Sequence, residues 1–226
     1  MLLRKLDSDF LKYLAHHHLK PEERVATLNE ISEELGISVG KLREQLAVAR
    51  SLGFVSVQTR NGIQKQPFDF KPAVLTSLLF GLGTGETQFA QYSELRRAIE
   101  KSMWPQAAAL LTAADKQALR HLVEQAWQKL RSHPVHIPNS EHREFHLKIY
   151  SRLGNPFVQG LLEAYWDAYE ASELTRFANY QYWVDVWTYH EKIVDALDIN
   201  DFDLGLTRLI EHFCLLPTIP IPAQNE

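Results

Sequence analysis

Apolar residues recur at helical intervals along most of this 226-residue chain, and they alternate instead in one short stretch between Gly53 and Gly62. Over residues 6–14, Leu6, Phe10, Leu11 and Leu14 form a helical stripe that stops at His16-His17-His18 and Pro21. Three consecutive histidines point three ways on a helix, so they read as exposed loop residues rather than a metal site. Thr27-Leu28-Asn29-Glu30 has the form of a capping box, and the helix it starts presents Ile31 and Leu35 inward until Gly36 ends it. Ser38 can cap a second helix that buries Leu42, Leu46 and Ala49 and leaves Lys41, Arg43 and Arg50 on other faces. Phe54-Val55-Ser56-Val57-Gln58 then alternates like a strand, Arg60-Asn61-Gly62 carries the Asn-Gly hairpin signal, and Ile63-Gln64-Lys65 can return as the partner.

A helix, a helix-turn-helix and a hairpin in that order predict a winged helix over residues 1–70. In that module the second helix enters the major groove of DNA and the wing tip reaches the backbone or minor groove. Arg43 can give two hydrogen bonds to a guanine, and Lys41, Arg60 and Lys65 suit phosphates. Ser38, Asn61 and Gly62 complete the expected DNA-facing set. Winged helices also serve as protein-protein modules, and the pattern does not separate the two uses.

Proline breaks regular structure at Pro67 and Pro72. Gly81-Leu82-Gly83-Thr84-Gly85 is expected to break it again after a short apolar stretch. Residues 71–90 therefore read as a linker with a short helix. No parallel-sheet strand leads into this Gly-x-Gly-x-Gly run and no Lys-Ser/Thr follows, so it is not a nucleotide loop. Residues 91–218 show helical periodicity and no convincing strand, which predicts an antiparallel bundle of six or seven helices. The fold class is mainly α, a winged helix-turn-helix plus an all-helical bundle. One helix is expected to open at Ser93, Thr112 to Asp115 should cap the next, and Asn139 or Ser140 the one after. Asn155-Pro156 reads as a cap and first residue. Tyr165, Trp166, Tyr169, Tyr180, Tyr182, Trp183 and Trp187 are expected in the core or on a dimer surface.

Within that bundle His142 and His146 are one helical turn apart and share a face. His190 and His212, later in helical sequence, are placed to complete a set for one metal ion. The alternative is an apolar core holding satisfied imidazoles without metal.

Composition narrows the setting. An apolar share of 45% is that of an ordinary globular chain, and a net charge of -4 excludes a wholly basic nucleic-acid coat. The first seventy residues carry 10 Lys and Arg against 9 Asp and Glu, and the remainder 14 against 19, so the DNA-binding candidate is the less acidic part. The single cysteine, Cys214, forms no internal disulfide, and its apolar neighbours predict a buried small hydrophobe. Without a signal-peptide pattern or a membrane-length apolar run, the expectation is a soluble cytoplasmic protein with no membrane partner.

The run from Leu28 to Leu46, with Leu52-Gly53-Phe54-Val55 and the Gly62 wing, resembles the DNA-binding domain of GntR-type bacterial transcriptional regulators. It departs from them at Ala26-Thr27-Leu28-Asn29, where the family has Pro-Ser-Glu-Arg, and at Val39, where the family has Arg. These changes concern the operator sequence rather than the fold. Glu94-x-Arg96 with Glu100, Phe145-His146 followed by Gly154-Asn155-Pro156, and His190 to His212 with Ile193, Ala196 and Asp201 between them resemble the FCD effector domain of the family's FadR branch. The resemblance implies a homodimeric regulator, expected to repress, that binds a pseudo-palindromic double-stranded DNA operator and answers a small carboxylate effector. Metal-binding members use an Asp, the His four residues later and two further histidines, which match His142, His146, His190 and His212, with His142 in the Asp position. Imidazole there makes the centre more positive by one unit, weakening its hold on the cation and strengthening its pull on an anion. Zinc or nickel is the implied divalent ion. Arg96 matches a pocket arginine that grips a carboxylate, and Asn155 a pocket asparagine whose helix cap is an equal explanation. An enzyme is not expected: a His-ligated metalloenzyme would need a general base, and neither His-Glu-x-x-His nor Glu-x-x-His occurs. A degenerate regulator acting through protein partners is the other alternative.

Overall fold

A computed structural model describes residues 2–172 and 178–215, so the last three positions of the expected helical domain, 216–218, lie outside the described residues. The chain forms two compact units, Met1–Ser77 and Leu78–Glu226.

In the first unit each helix start has a local chemical cause. The Ser8 side chain caps α1 (Asp9–His16), and a reciprocal Thr27 and Glu30 capping box opens α2 (Leu28–Leu35). Gly36, at φ 65°, ends α2 in a left-handed turn that only glycine adopts without strain. Ser38 then caps α3 (Val39–Ser51). Strands β1 (Val55–Gln58) and β2 (Gly62–Lys65) pair antiparallel, with Val57 opposite Ile63. A third, one-residue strand that the alternation does not show joins them, where Arg24 bridges Gln64 and the Val25 N–H donates to the Ile63 carbonyl at 2.8 Å. Phe10, Ile31, Leu42 and Ala49 meet Val25, Val55 and Ile63 in one core, each large side chain contributing about 1.5 to 3 kcal/mol by burial. The histidine run is exposed, and His17 pairs with Glu34 at 2.9 Å.

Helix α4 (Lys71–Gly83) corrects the expected break at the glycines. It runs through Gly81, where a Cβ would stand 2.9 Å from Thr87 Oγ1, so this glycine serves a close approach and not a turn. Gly85, at φ 73°, makes the turn instead.

The second unit holds six helices among the described residues: α5 (Phe89–Leu110), α6 (Ala113–Arg131), α7 (Asn139–Tyr150), α8 (Pro156–Ala171), α9 (Tyr180–Asp198) and α10 (Phe202–Phe213). Three local expectations need correction. Helix α5 opens at Phe89 rather than Ser93, because Gln91 reaches back to accept the Gln88 N–H at 2.8 Å. Neither Asn139 nor Ser140 caps α7; Pro138 holds the cap position and the Ser140 hydroxyl turns to Glu141. Cys214 is exposed, because His212 and Phe213 take the buried face at the end of α10 and the next residue turns away from it.

Close helix contact sets the frame. At Gly205 of α10 a Cβ would fall 2.6 Å from Trp104 Cζ2, and the Trp104 indole N–H donates to the Phe202 carbonyl at 2.8 Å. These contacts lock α10 against α5. Arg120 of α6 bonds Asp195 and Asp198 of α9 at 2.7 and 2.6 Å. No helix among the described residues is long and apolar enough to cross a membrane.

Candidate functional site

Three helices converge on one buried cluster in the second unit. Helix α7 brings His142 and His146, α9 brings His190, and α10 brings His212, all at most 1% exposed. One ligand nitrogen from each lies within 4.8 Å of the others. Four nitrogens around a single zinc ion, at about 2.05 Å from it, would be roughly 3.3 Å apart. To reach that geometry the widest-spaced nitrogens, up to 4.8 Å apart, must close by about 1.5 Å. His146 and His190 are already there, with their Nε2 atoms 3.2 Å apart.

Hydrogen bonding leaves this cluster incomplete. Both nitrogens of His142, both of His212 and Nδ1 of His190 are buried and bond to nothing among the described residues. Buried polar atoms normally find partners, and each one without costs about 1 to 3 kcal/mol. Burial, and then the positive charge of neighbouring groups, pushes all four imidazoles well below their ordinary pKa. They are therefore neutral at neutral pH and carry lone pairs, the form that binds a metal. The residues present fit a divalent ion.

Aromatic rings close the cluster. Trp166 and Tyr169 of α8, with Trp183 and Trp187 of α9, stand 4.7 to 6.4 Å from the His142 ring, centre to centre. They line the histidines within the buried core.

Arg96, the residue matched to a carboxylate grip, is buried, with one edge of its guanidinium on Glu100. Its Nε donates to Glu100 Oε1 at 2.7 Å and its Nη2 to Oε2 at 3.3 Å. Its guanidinium carbon lies 4.6 and 4.7 Å from the ring centres of Tyr165 and Trp166. Burial works against the charge on Arg96, yet the Glu100 carboxylate outweighs it and holds the group above its usual range. Burial pushes Glu100 up while Arg96 opposes that push. Glu100 Oε2 also lies 3.1 Å from His146 Nδ1, and the Tyr150 hydroxyl donates to the Glu100 carbonyl at 2.9 Å. The sequence carried a signal for the first contact, the i, i+4 spacing of Arg96 and Glu100, but none for the second. Asn155 is exposed, and its side chain caps α8 by accepting the Phe157 and Val158 N–H groups at 3.0 and 3.3 Å.

On the first unit, Ser38, Lys41, Arg43, Arg60 and Asn61 are exposed, and Gly62, at φ 70°, forms the wing turn. Arg43 and Arg60 have no hydrogen bond or ion pair among the described residues. Lys41 is engaged, pairing with Asp9 at 2.8 Å beside Gln45, whose side chain accepts the Phe10 N–H at 2.8 Å. The same helix that presents Arg43 thus clamps the start of α1. Lys65 is half-buried, with its ammonium on the Gln66 carbonyl.

Comparison with known proteins agrees with this architecture. The family model of the FCD domain matches residues 91–214. The chain is 24% identical over 217 residues to the uncharacterised HTH-type transcriptional regulator YcbG of Bacillus subtilis, covering 93% of this chain and 86% of that one. Among solved structures, Streptococcus agalactiae GntR superposes with a TM-score of 0.64 at 16% identity, over 91% of this chain and 93% of that chain. The E. coli protein McbR/YncC gives a TM-score of 0.50 at 20% identity, over 95% and 94%. Both likenesses speak to the fold.

Proposed function

Because the chain belongs to the GntR-type transcriptional regulators that carry an FCD domain, we propose that it is a ligand-responsive DNA-binding regulator whose C-terminal unit holds one divalent metal ion. His142, His146, His190 and His212 supply the donors, and the observation that carries the reading is the set of buried imidazole nitrogens without a partner. Neutral nitrogen donors suit zinc or nickel. Four neutral ligands leave the ion's charge uncompensated among buried side chains, which favours an anionic effector, a small organic acid that joins the nitrogens at the ion. Asn155 stays with its cap.

The DNA-facing reading rests on exposure and freedom. Helix α3 offers Arg43 to a guanine, and the wing offers Arg60 to a phosphate beside Asn61 and Gly62. A cytoplasmic homodimer would set two α3 helices on a pseudo-palindromic operator. Acid binding at the ion would shift α7, α9 and α10 against one another. A coupling free energy of about 1 to 3 kcal/mol then changes operator affinity roughly 5- to 150-fold. One observation favours a second reading, a regulator working through protein partners: Lys41 is bound to Asp9 and so withdrawn from phosphates.

Selection from a random duplex library by the zinc-loaded protein separates these. Enrichment of an inverted repeat with half-sites about one helical turn apart supports the regulator; no enriched sequence overturns it in favour of the second reading.

A further inference from the structure

Glu100 is fully buried, comes from a helix that carries none of the four histidines, and touches two functional groups at once. Paired with Arg96 at 2.7 Å, Glu100 is a carboxylate, which accepts and does not donate, and this assigns the His146 proton to the Nδ1 that faces Oε2 at 3.1 Å. The His146 lone pair then sits on Nε2, the atom 3.2 Å from His190 Nε2 and turned to the other imidazoles. The same carboxylate receives Nε and Nη2 of Arg96, so three of its roughly four acceptor sites are taken.

We propose that Glu100 is the positioning residue of the histidine centre: it fixes His146 in the tautomer that offers Nε2 to the ion, and it holds Arg96 beside that imidazole through Nε and Nη2. The inference rests on the metal reading above and adds a residue to it. A carboxylate behind a ligating imidazole orients the ring and makes the nitrogen more basic, and removing such a partner typically weakens metal binding 10- to 100-fold. Arg96 has a different part. It neutralises Glu100, so the pair adds no net charge beside the histidines, with Nε and Nη2 engaged by the buried carboxylate.

The test is zinc affinity, by competition with a chromophoric chelator, in wild type, Glu100→Gln and the double variant Arg96→Gln/Glu100→Gln. In the single variant an amide whose oxygen stays on Arg96 turns its NH2 toward His146, favouring the tautomer with the proton on Nε2. That variant also leaves Arg96 as an unpaired buried cation, which can unfold the bundle. The double variant removes both charges and keeps the net charge beside the histidines unchanged. Zinc binding 10- to 100-fold weaker in the double variant, with unchanged circular dichroism, is the expected result. Long-range imidazole 15N spectra of the metal-free wild type should place the His146 proton on Nδ1. Wild-type zinc affinity in the double variant, or a wild-type His146 protonated on Nε2, overturns the proposal. A wild type that binds no zinc would sink the metal reading instead, and the nitrogen spectrum would still decide whether Glu100 holds His146.

Discussion

The Nε2 atoms of His146 on α7 and His190 on α9 stand 3.2 Å apart, both side chains fully buried. With His146 donating through Nδ1 to Glu100, the shared proton of this contact belongs to His190. A metal ion would take the place of that proton. His190→Ala removes one of four donors and leaves three, a set that still holds zinc in open sites. Zinc affinity should fall at least about tenfold without being abolished, as read by chelator competition; unchanged affinity would remove His190 from the site.

Gly205→Ala tests the contact between α10 and α5. The added Cβ would fall 2.6 Å from the Trp104 ring, which is itself anchored by its bond to Phe202 and cannot easily retreat. Overpacking of this kind costs about 1 to 3 kcal/mol. A lower urea midpoint with an unchanged slope is the expected outcome, and a midpoint equal to wild type would show that the ring has room to move.

Asp115 gives the stability a pH dependence. Arg152 at 2.9 Å, Lys148 at 2.7 Å and the Thr112 capping box hold its carboxyl well below the usual carboxylate range. A carboxyl depressed in the fold favours the folded state above its unfolded pKa of about 3.8, and that contribution fades as pH falls below it. Asp115→Asn should cost about 1 kcal/mol at pH 7, a modest figure because the Lys148 and Arg152 heads are partly in water. The gap between variant and wild type should narrow steadily as pH falls below about 3.8, toward the depressed folded pKa. A gap that stays constant below that pH would mean that packing, not charge, explains the loss.

The DNA-facing residues should separate by role. Arg43→Ala is expected to cost about 1 to 3 kcal/mol of operator binding and to relax preference at one base pair. Arg60→Ala should weaken binding evenly across sequences and reduce the salt slope by about one. Lys41→Ala, because Lys41 bonds Asp9, should lower the stability of the first unit more than DNA affinity. Salt-dependent fluorescence anisotropy with thermal melting checks all three; identical salt slopes in Arg60→Ala and wild type would take Arg60 off the phosphate backbone.

Local chemistry made much of the fold legible. Thr27 with Glu30, Thr112 with Asp115, Ser38 and Asp201 each start a helix through bonds reaching three residues along the chain, a distance that sequence displays directly. The i, i+4 spacing likewise puts His142 and His146 on one face, their rings 5.2 Å apart. What sequence hides is tertiary. Gly81 looks like a breaker until Thr87 is seen above it, Cys214 looks buried until His212 and Phe213 have taken the inner face, and Arg24 shows no strand pattern because its pairing is one residue long. Arg96 looks like a free carboxylate receptor, and Glu100, four residues on, had no assigned part. Their joint contact with His146 depends on how α5 packs against α7, which no periodicity encodes.

The measurement closest to the central claim is the metal content of purified, untagged protein by mass spectrometry, beside His146→Ala, with circular dichroism confirming that both are helical. The account predicts about one zinc or nickel ion per chain in the wild type and a lower content in the variant after dialysis against a chelator, because three donors hold the ion more weakly than four. No metal in the wild type after incubation with either ion, or the same content in both proteins, would contradict it.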